Sequence, residues 1–303
     1  MPLNQGLFDR RRFIGAGTAL ALVRPALAAP SPFATKSPFA AIEARAEGRL
    51  GVFALDTGGG RALAYRADAR FPMCSTFKLL LAAFVLSRID AGRERLDRRV
   101  AYGAADLLDY APTARAHLAE GAMTVADLCA AAVQLSDNTA ANLLLRETGG
   151  PAALTAWLRH IGDPTTRLDN NEPTLNVWAA GEVHDTTTPA AVVATWRMLL
   201  LGAVLSPASR ARLIDWAKGT TTGLARIRAG VPKDWVEGDK TGSWSDARMG
   251  TSNDIAILWP PGRAPIILAV FLALAKVSGD RRDAAVAEVG RIVADLYLSG
   301  RFA

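Results

Sequence analysis

Directly behind Ser75-Thr76-Phe77-Lys78 the chain runs Leu79-Leu80-Leu81-Ala82-Ala83-Phe84-Val85-Leu86, apolar nearly all round. A helix without a polar face has to be covered on most sides, so this segment predicts a central helix with the rest of the fold built around it. Ser75 and Lys78 sit at its head. Residues three apart at a helix start face the same side, which brings the lysine amine beside the serine hydroxyl. A serine needs its proton removed before it attacks a carbonyl, and a neighbouring amine can help remove it. Two more signatures follow in order, Ser136-Asp137-Asn138 and Lys240-Thr241-Gly242. S-x-x-K alone arises by chance about once in a chain of this length, as a helix cap followed by a surface lysine. All three signatures in this order are far harder to obtain by accident.

The surrounding pattern gives the fold class. Pro38 to Ala46 reads as a short amphipathic helix. Arg49 to Asp56 alternates in the strand manner, with Leu50, Val52 and Ala54 on one face, and Ala62 to Tyr65 returns after the turn at Gly58-Gly59-Gly60. Helices are predicted at Thr124–Val133, Thr139–Thr148, Pro151–Ile161, Pro189–Leu201 and Pro207–Lys218, several opening on Ser, Thr or Pro. Strands return at Trp235–Gly242, Ile255–Trp259 and Pro265–Ala273, before a closing helix from Arg281 to Leu298. Strands at both ends with helices between predict an α+β fold. One antiparallel sheet is built from both termini and flanked by helices, and an all-helical lobe is added to it. The boundaries are 38–66 and 219–303 for the sheet lobe and 67–218 for the helical lobe. Residues 162–188 have no sustained period, yet they hold Leu168, Leu175, Val177 and Trp178. This predicts a packed functional loop rather than a linker.

The ends and the charge narrow the function. Asp9-Arg10-Arg11-Arg12-Phe13-Ile14 is a twin-arginine pattern, followed by an apolar stretch to Val23 and by Ala26-Leu27-Ala28. That order predicts a signal peptide over residues 1–28, and with it a periplasmic or secreted protein. The apolar stretch is too short to span a bilayer, which takes about 20 residues, so no membrane anchor is expected after its removal. The segment holds four arginines against Asp9, so its loss lowers the formal charge from +6 to +3. No basic run with interleaved aromatics appears, and nucleic-acid binding has no support. His117, His160 and His184 are scattered, which argues against a zinc site. No metal, no cofactor and a monomer are expected. Cys74 and Cys129 suggest no disulfide framework.

The three signatures together resemble the penicillin-recognising serine enzymes, and within them the class A β-lactamases. Similar stretches extend the likeness: Phe71-Pro72-Met73-Cys74, Met123-Thr124-Val125, Glu172-Pro173-Thr174-Leu175-Asn176 and Asp185-Thr186-Thr187-Thr188-Pro189. It runs from about residue 38 to the C-terminus. The resemblance implies two lobes with the active site in the groove between them, and a cis Glu172–Pro173 bond. It implies Ser75 as nucleophile, Lys78 in proton transfer, and an oxyanion hole from the backbone N–H groups of Ser75 and Ser243. Ser136 would pass a proton to the departing nitrogen, and Asn138 would bind the substrate's side-chain carbonyl. Lys240, Thr241 and Ser243 would hold its carboxylate. Gly242 would leave room for ligand beside an edge strand, and Tyr110 would wall the mouth.

Glu172, helped by Asn176, would activate the water that releases the acyl group. This pair separates a lactamase from a D-alanyl-D-alanine peptidase of the same fold. A non-hydrolytic β-lactam sensor would need a membrane-spanning signalling part, and none is read here. Arg226 resembles an arginine that some broad-spectrum class A enzymes place behind the K-T-G strand; a surface arginine like Arg228 carries comparable weight. The expected substrates are penicillins and cephalosporins, with carbapenem turnover left open. Two features depart from the family pattern. Asn170 stands where many members have an arginine paired with the residue matching Asp185. The connection from Trp244 to Gly250 reads as longer than usual, with Trp244 unusually bulky. The bridge partners of Cys129 and Cys74 in some relatives match Ala82 and Trp244 here, so neither bridge is expected.

Overall fold

A computed structural model describes residues 37–302. The signal peptide read over residues 1–28 lies outside the described residues. Five strands form one sheet: β1 (Arg49–Asp56), β2 (Ala62–Tyr65), β3 (Val236–Ser245), β4 (Gly250–Trp259) and β5 (Ile266–Ala275). Their spatial order is β2-β1-β5-β4-β3, and every neighbouring pair is antiparallel. The strand from the N-terminal side thus lies beside the last strand of the chain, so both ends build the sheet. The longer helices are α1 (Pro38–Ala46), α2 (Phe77–Asp90), α3 (Val125–Gln134), α4 (Asn138–Thr148), α5 (Gly150–His160), α6 (Pro189–Leu200), α7 (Pro207–Lys218) and α8 (Gly279–Leu298).

Period-two alternation divides the apolar residues between two cores. Leu50, Val52 and Ala54 of β1 join Leu268, Val270 and Leu272 of β5 on the face covered by α1 and α8. Ile267, Ala269 and Phe271 point the other way, into the larger core with α2. β5 is therefore buried on both faces, which is why its sequence is an unbroken apolar run. Every residue of α2 from Phe77 to Leu86 is buried, Lys78 included. Helix starts follow local chemistry. The Thr124, Thr188 and Ser206 hydroxyls accept hydrogen bonds from the first-turn N–H groups of α3, α6 and α7.

Three details differ from the expectation. The region read as all-helical also contains two short ribbons, Phe71–Pro72 with Thr186–Thr187 and Arg99–Ala101 with Ala122–Thr124; segments this short carry no readable period. β4 begins at Gly250, five residues before the apolar run at Ile255, because Thr251, Ser252, Asn253 and Asp254 are buried polar residues paired in the ladder. The stretch from Trp244 to Gly250 is consequently a hairpin end. Ser245 pairs with Gly250, and the Asp246 carboxylate accepts from the N–H groups of Arg248 and Met249 in the turn.

Candidate active site

Ser75 lies in a single 3-10 turn, Cys74–Thr76, that leads into α2. Cys74 before it has φ +46, and Ser136, at the turn between α3 and α4, has φ +58. Both are left-handed backbone, costing about 1–3 kcal/mol each for residues of this kind unless the surroundings enforce it. At Ser136 the outcome is visible. Its carbonyl oxygen accepts from Lys78 Nζ at 2.8 Å, while its Oγ accepts from Lys240 Nζ at 3.1 Å and from Lys78 Nζ at 3.4 Å. Asp137 is fully buried and holds this turn. One oxygen accepts from the Ala140 N–H as the α4 cap, and the other accepts from the N–H groups of Thr113 and Ala114.

Around the hydroxyl, Ser75 Oγ donates to Glu172 Oε1 at 3.1 Å, and Lys78 Nζ is 3.0 Å from the same oxygen. Lys78 Nζ also donates to Asn138 Oδ1 at 2.5 Å. Burial pushes the Lys78 amine below its ordinary value, and the Glu172 carboxylate opposes that shift. Lys240 is pushed down to about 7, first by burial and then by the positive charge of Lys78. Asn176 Nδ2 donates to Glu172 Oε2 at 2.7 Å. The peptide on the other side of Glu172 is clamped by Asn142, whose Nδ2 donates to the Glu172 carbonyl while its Oδ1 accepts from the Glu172 N–H. Sequence reading missed Asn142; its one signal was its place one helical turn after Asn138. The Glu172–Pro173 peptide is cis.

The loop closes in the way Asn170 allows. Asn170 Nδ2 donates to Asp185 Oδ2 at 2.7 Å, and the backbone N–H groups of Asp169 and Asn170 donate to Asp185 Oδ1. Arg167 donates to both Asp169 oxygens, and Oδ2 also accepts from the Asp185 N–H. An ion pair is present, but it bridges different residues from those of the family pattern.

β3 is an edge strand and packs against the Ser75 turn. A Cβ on Gly242 would lie 2.6 Å from the Met73 carbonyl and 3.1 Å from Cys74 Cβ. The glycine is thus required for the approach of strand to turn, a different reason from the ligand space expected of it. Asn253, its partner in β4, donates to the carbonyls of Pro72 and Met73. Arg226 is 6% exposed, which removes the surface reading. Its Nη2 donates to Ser243 Oγ at 2.6 Å, its Nη1 to the carbonyls of Gly242 and Asn253, and its Nε to Asp283 at 2.9 Å. Arg228 is not a plain surface arginine either, since it donates to buried Asp239 at 2.6 Å. Thr241 and Thr222 share a hydrogen bond at 2.6 Å; Thr222 was not foreseen, and neither was Asp283.

These residues surround a cleft of about 380 Å³ lined by Ser75, Tyr110, Ser136, Asn138, Glu172, Asn176, Thr222, Arg226, Thr241 and Ser243. Tyr110, 51% exposed, stands at its mouth, and its carbonyl accepts from the Asn138 N–H. Lys78 and Lys240 lie beneath, fully buried. Cys74 and Cys129 are free and buried, and burial raises both thiols far above their ordinary values.

A serine and a buried lysine on one helix turn, a second lysine on a sheet edge and a loop carboxylate between them define a serine hydrolase of the penicillin-recognising fold. The chain belongs to the Beta-lactamase enzyme family, whose model matches residues 34–297, and it is a class A serine β-lactamase, a β-lactam hydrolase of antibiotic resistance. It is 48% identical over 255 residues to the carbapenem-hydrolyzing β-lactamase KPC of Klebsiella oxytoca, covering 84% of this chain and 86% of the relative. It is 48% identical over 302 residues to β-lactamase L2 of Stenotrophomonas maltophilia, covering 94% and 98%. Among solved structures, an ancestral (GNCA) class A β-lactamase is 60% identical, with a TM-score of 0.82 over 84% of this chain and 97% of that one.

Proposed function

We propose that the enzyme opens penicillins and cephalosporins through an acyl group on Ser75, released by water that Glu172 activates. One observation carries this reading: a single carboxylate oxygen, Glu172 Oε1, lies within hydrogen-bond reach of both Ser75 Oγ and Lys78 Nζ. In acylation the Ser75 proton passes into this Glu172–Lys78 pair as Oγ attacks the lactam carbonyl. The oxyanion is received by the backbone N–H groups of Ser75 and Ser243. Ser136 Oγ then protonates the departing nitrogen, and the two lysines on it supply the replacement proton. Asn176 fixes the Glu172 carboxylate for the second step. Lys240, Thr241 and Ser243 hold the substrate carboxylate, Asn138 its side-chain carbonyl, and Tyr110 covers it.

Arg226 belongs to the same reading. Its hydrogen bond orients the Ser243 hydroxyl, and its charge adds to the carboxylate pocket. This supports cephalosporin turnover. The KPC relative is named for carbapenem hydrolysis, and carbapenems belong in the test panel. The protein is further proposed to be an exported monomer, delivered by a twin-arginine signal over residues 1–28, with a sheet lobe (38–66 and 219–303) and a helical lobe (67–218). No helix among the described residues is long and apolar enough to cross a membrane. The test is to mix purified protein with a penicillin, a cephalosporin and a carbapenem while following turnover and intact mass together. Sustained turnover without a lasting adduct is expected for the first two. A stable adduct without turnover would instead fit a peptidase or a sensor.

A further inference from the structure

The far end of α2 carries an unusual concentration of arginine. Residues 88–99 read Arg-Ile-Asp-Ala-Gly-Arg-Glu-Arg-Leu-Asp-Arg-Arg, and Arg88, Arg93, Arg95 and Arg98 line an open cleft of about 560 Å³ with Gly92, Glu94 and Glu147. These cations are unequally matched. Arg98 is filled: Nε and Nη2 donate to the two Glu94 oxygens at 2.7 and 2.8 Å, and Nη1 donates to Glu147 at 3.0 Å. Hydrogen bonds from Arg98 hold the Glu94 carboxyl below its ordinary range against the effect of burial, so this carboxylate is ionised and committed to Arg98. Arg95 is closed by Asp97 at 2.7 Å.

Arg88 and Arg93 have no carboxylate of their own among the described residues. Arg88 lies with its guanidinium 5.9 Å from the centre of the Phe84 ring, and its Nε is shut away from solvent without an acceptor. A buried donor left unpaired is unfavourable. A guanidinium set against an aromatic ring keeps its planar fork pre-organised for oxyanions. At Gly92, φ is +68 and nothing lies within reach of an added Cβ, so the chain leaves the cleft open at that point.

We propose that this cleft binds a soluble phosphate-bearing small molecule, held between Arg88 and Arg93. The four lining arginines, Arg88, Arg93, Arg95 and Arg98, meet three carboxylates, Glu94, Asp97 and Glu147, so the cleft keeps a positive charge. Tetrahedral phosphate oxygens can accept from two guanidinium forks at once. The site is separate from the β-lactam cleft, since the two share no lining residue.

The experiment is a calorimetric titration of the protein with pyrophosphate at constant ionic strength and pH 7.5. Saturable one-to-one binding is expected, weakened at least tenfold by Arg88→Gln and by Arg93→Gln but not by Arg212→Gln, an exposed arginine on α7. Arg93 is exposed, so its variant should keep full β-lactam turnover, which verifies that it is folded. A parallel arm uses phosphatidic acid vesicles. Binding to vesicles alone, with no saturable pyrophosphate binding, would overturn the soluble ligand. Equal weakening by Arg212→Gln and Arg93→Gln would overturn the site.

Discussion

Glu237 offers a measurable consequence of burying acid behind the K-T-G strand. Its register partner in β4 is Leu258, and Asp239 pairs with Ala256. Glu237, Asp239 and Asp254 therefore share one face of the β3–β4 ladder. Arg228 reaches two of them, 2.6 Å from Asp239 but 3.7 Å from Glu237. Neither Glu237 oxygen has a hydrogen-bond partner. Burial first, and then the charges of Asp254 and Asp239, push this carboxyl from 4.5 to about 9. A carboxyl raised on folding binds its proton more tightly in the native state, so stability is lost as pH climbs from the unfolded value towards the folded one. The slope is at most about 1.4 kcal/mol per pH unit. Between pH 6 and pH 8 the loss through this one group comes to ~2.7 kcal/mol, worth roughly 5–11 °C in Tm for a protein of this size. Glu237→Gln removes the titration while keeping shape. The Tm of the variant minus that of the parent should therefore rise by roughly that amount from pH 6 to pH 8, measured by scanning calorimetry. A difference that stays flat across this range would show that Glu237 is ionised in the folded protein and that the reasoning fails.

Ser75→Ala should abolish acylation and leave thermal unfolding close to that of the parent, and near-parental hydrolysis of a penicillin would remove Ser75 as nucleophile. Glu172→Gln should trap the acyl-enzyme, seen as one persistent adduct in the intact mass; normal turnover would place the deacylating base elsewhere. Arg226→Ala should cost cephalosporin kcat/KM about tenfold or more, the loss of a charged hydrogen bond being worth about 1.5–3 kcal/mol, with penicillins less affected; an equal loss on both classes would mean that it acts only by holding β3. Lys240, pushed down to about 7, should give up its proton as pH rises. The kcat/KM should then fall on the alkaline side mainly through KM, and a Lys240→Arg variant should lose that limb; the same limb in the variant would assign it to another group.

Much of this architecture was legible because its signals are local. The apolar run after Lys78 fixed a central helix, and the alternation of Leu50, Val52 and Ala54 put β1 in the core that α1 and α8 cover. What stayed hidden depends on contacts distant in the chain. The start of β4 is written in Thr251-Ser252-Asn253-Asp254, which lies outside the strand predicted at Ile255–Trp259. In the fold, Asn253 Nδ2 is satisfied by carbonyls of Pro72 and Met73 about 180 residues away. Asn142 holds Glu172 across 30 residues. Asp283 reaches Arg226 from the closing helix. Each is a polar group whose burial makes sense only once its partner is in place, and no periodicity records that.

The same contacts explain how a serine on one helix turn is aimed at a strand from the other end of the chain. Gly242 lets β3 approach the Met73 carbonyl to a distance that no side chain would permit, and Asn253 ties the next strand to that carbonyl and its neighbour. Cys74 takes its left-handed backbone inside this junction, with its Cβ beside Gly242 and its thiol buried. Ser136 adopts a similar backbone on the opposite wall, where Asp137 anchors the turn with three backbone hydrogen bonds. The two strained residues stand immediately before Ser75, the proposed nucleophile, and at the hydroxyl shared by the two lysines. In both places the surrounding packing enforces a conformation the free chain disfavours. The groups proposed to react are therefore positioned by the junction of sheet and helices, and substrate binding does not have to supply that order.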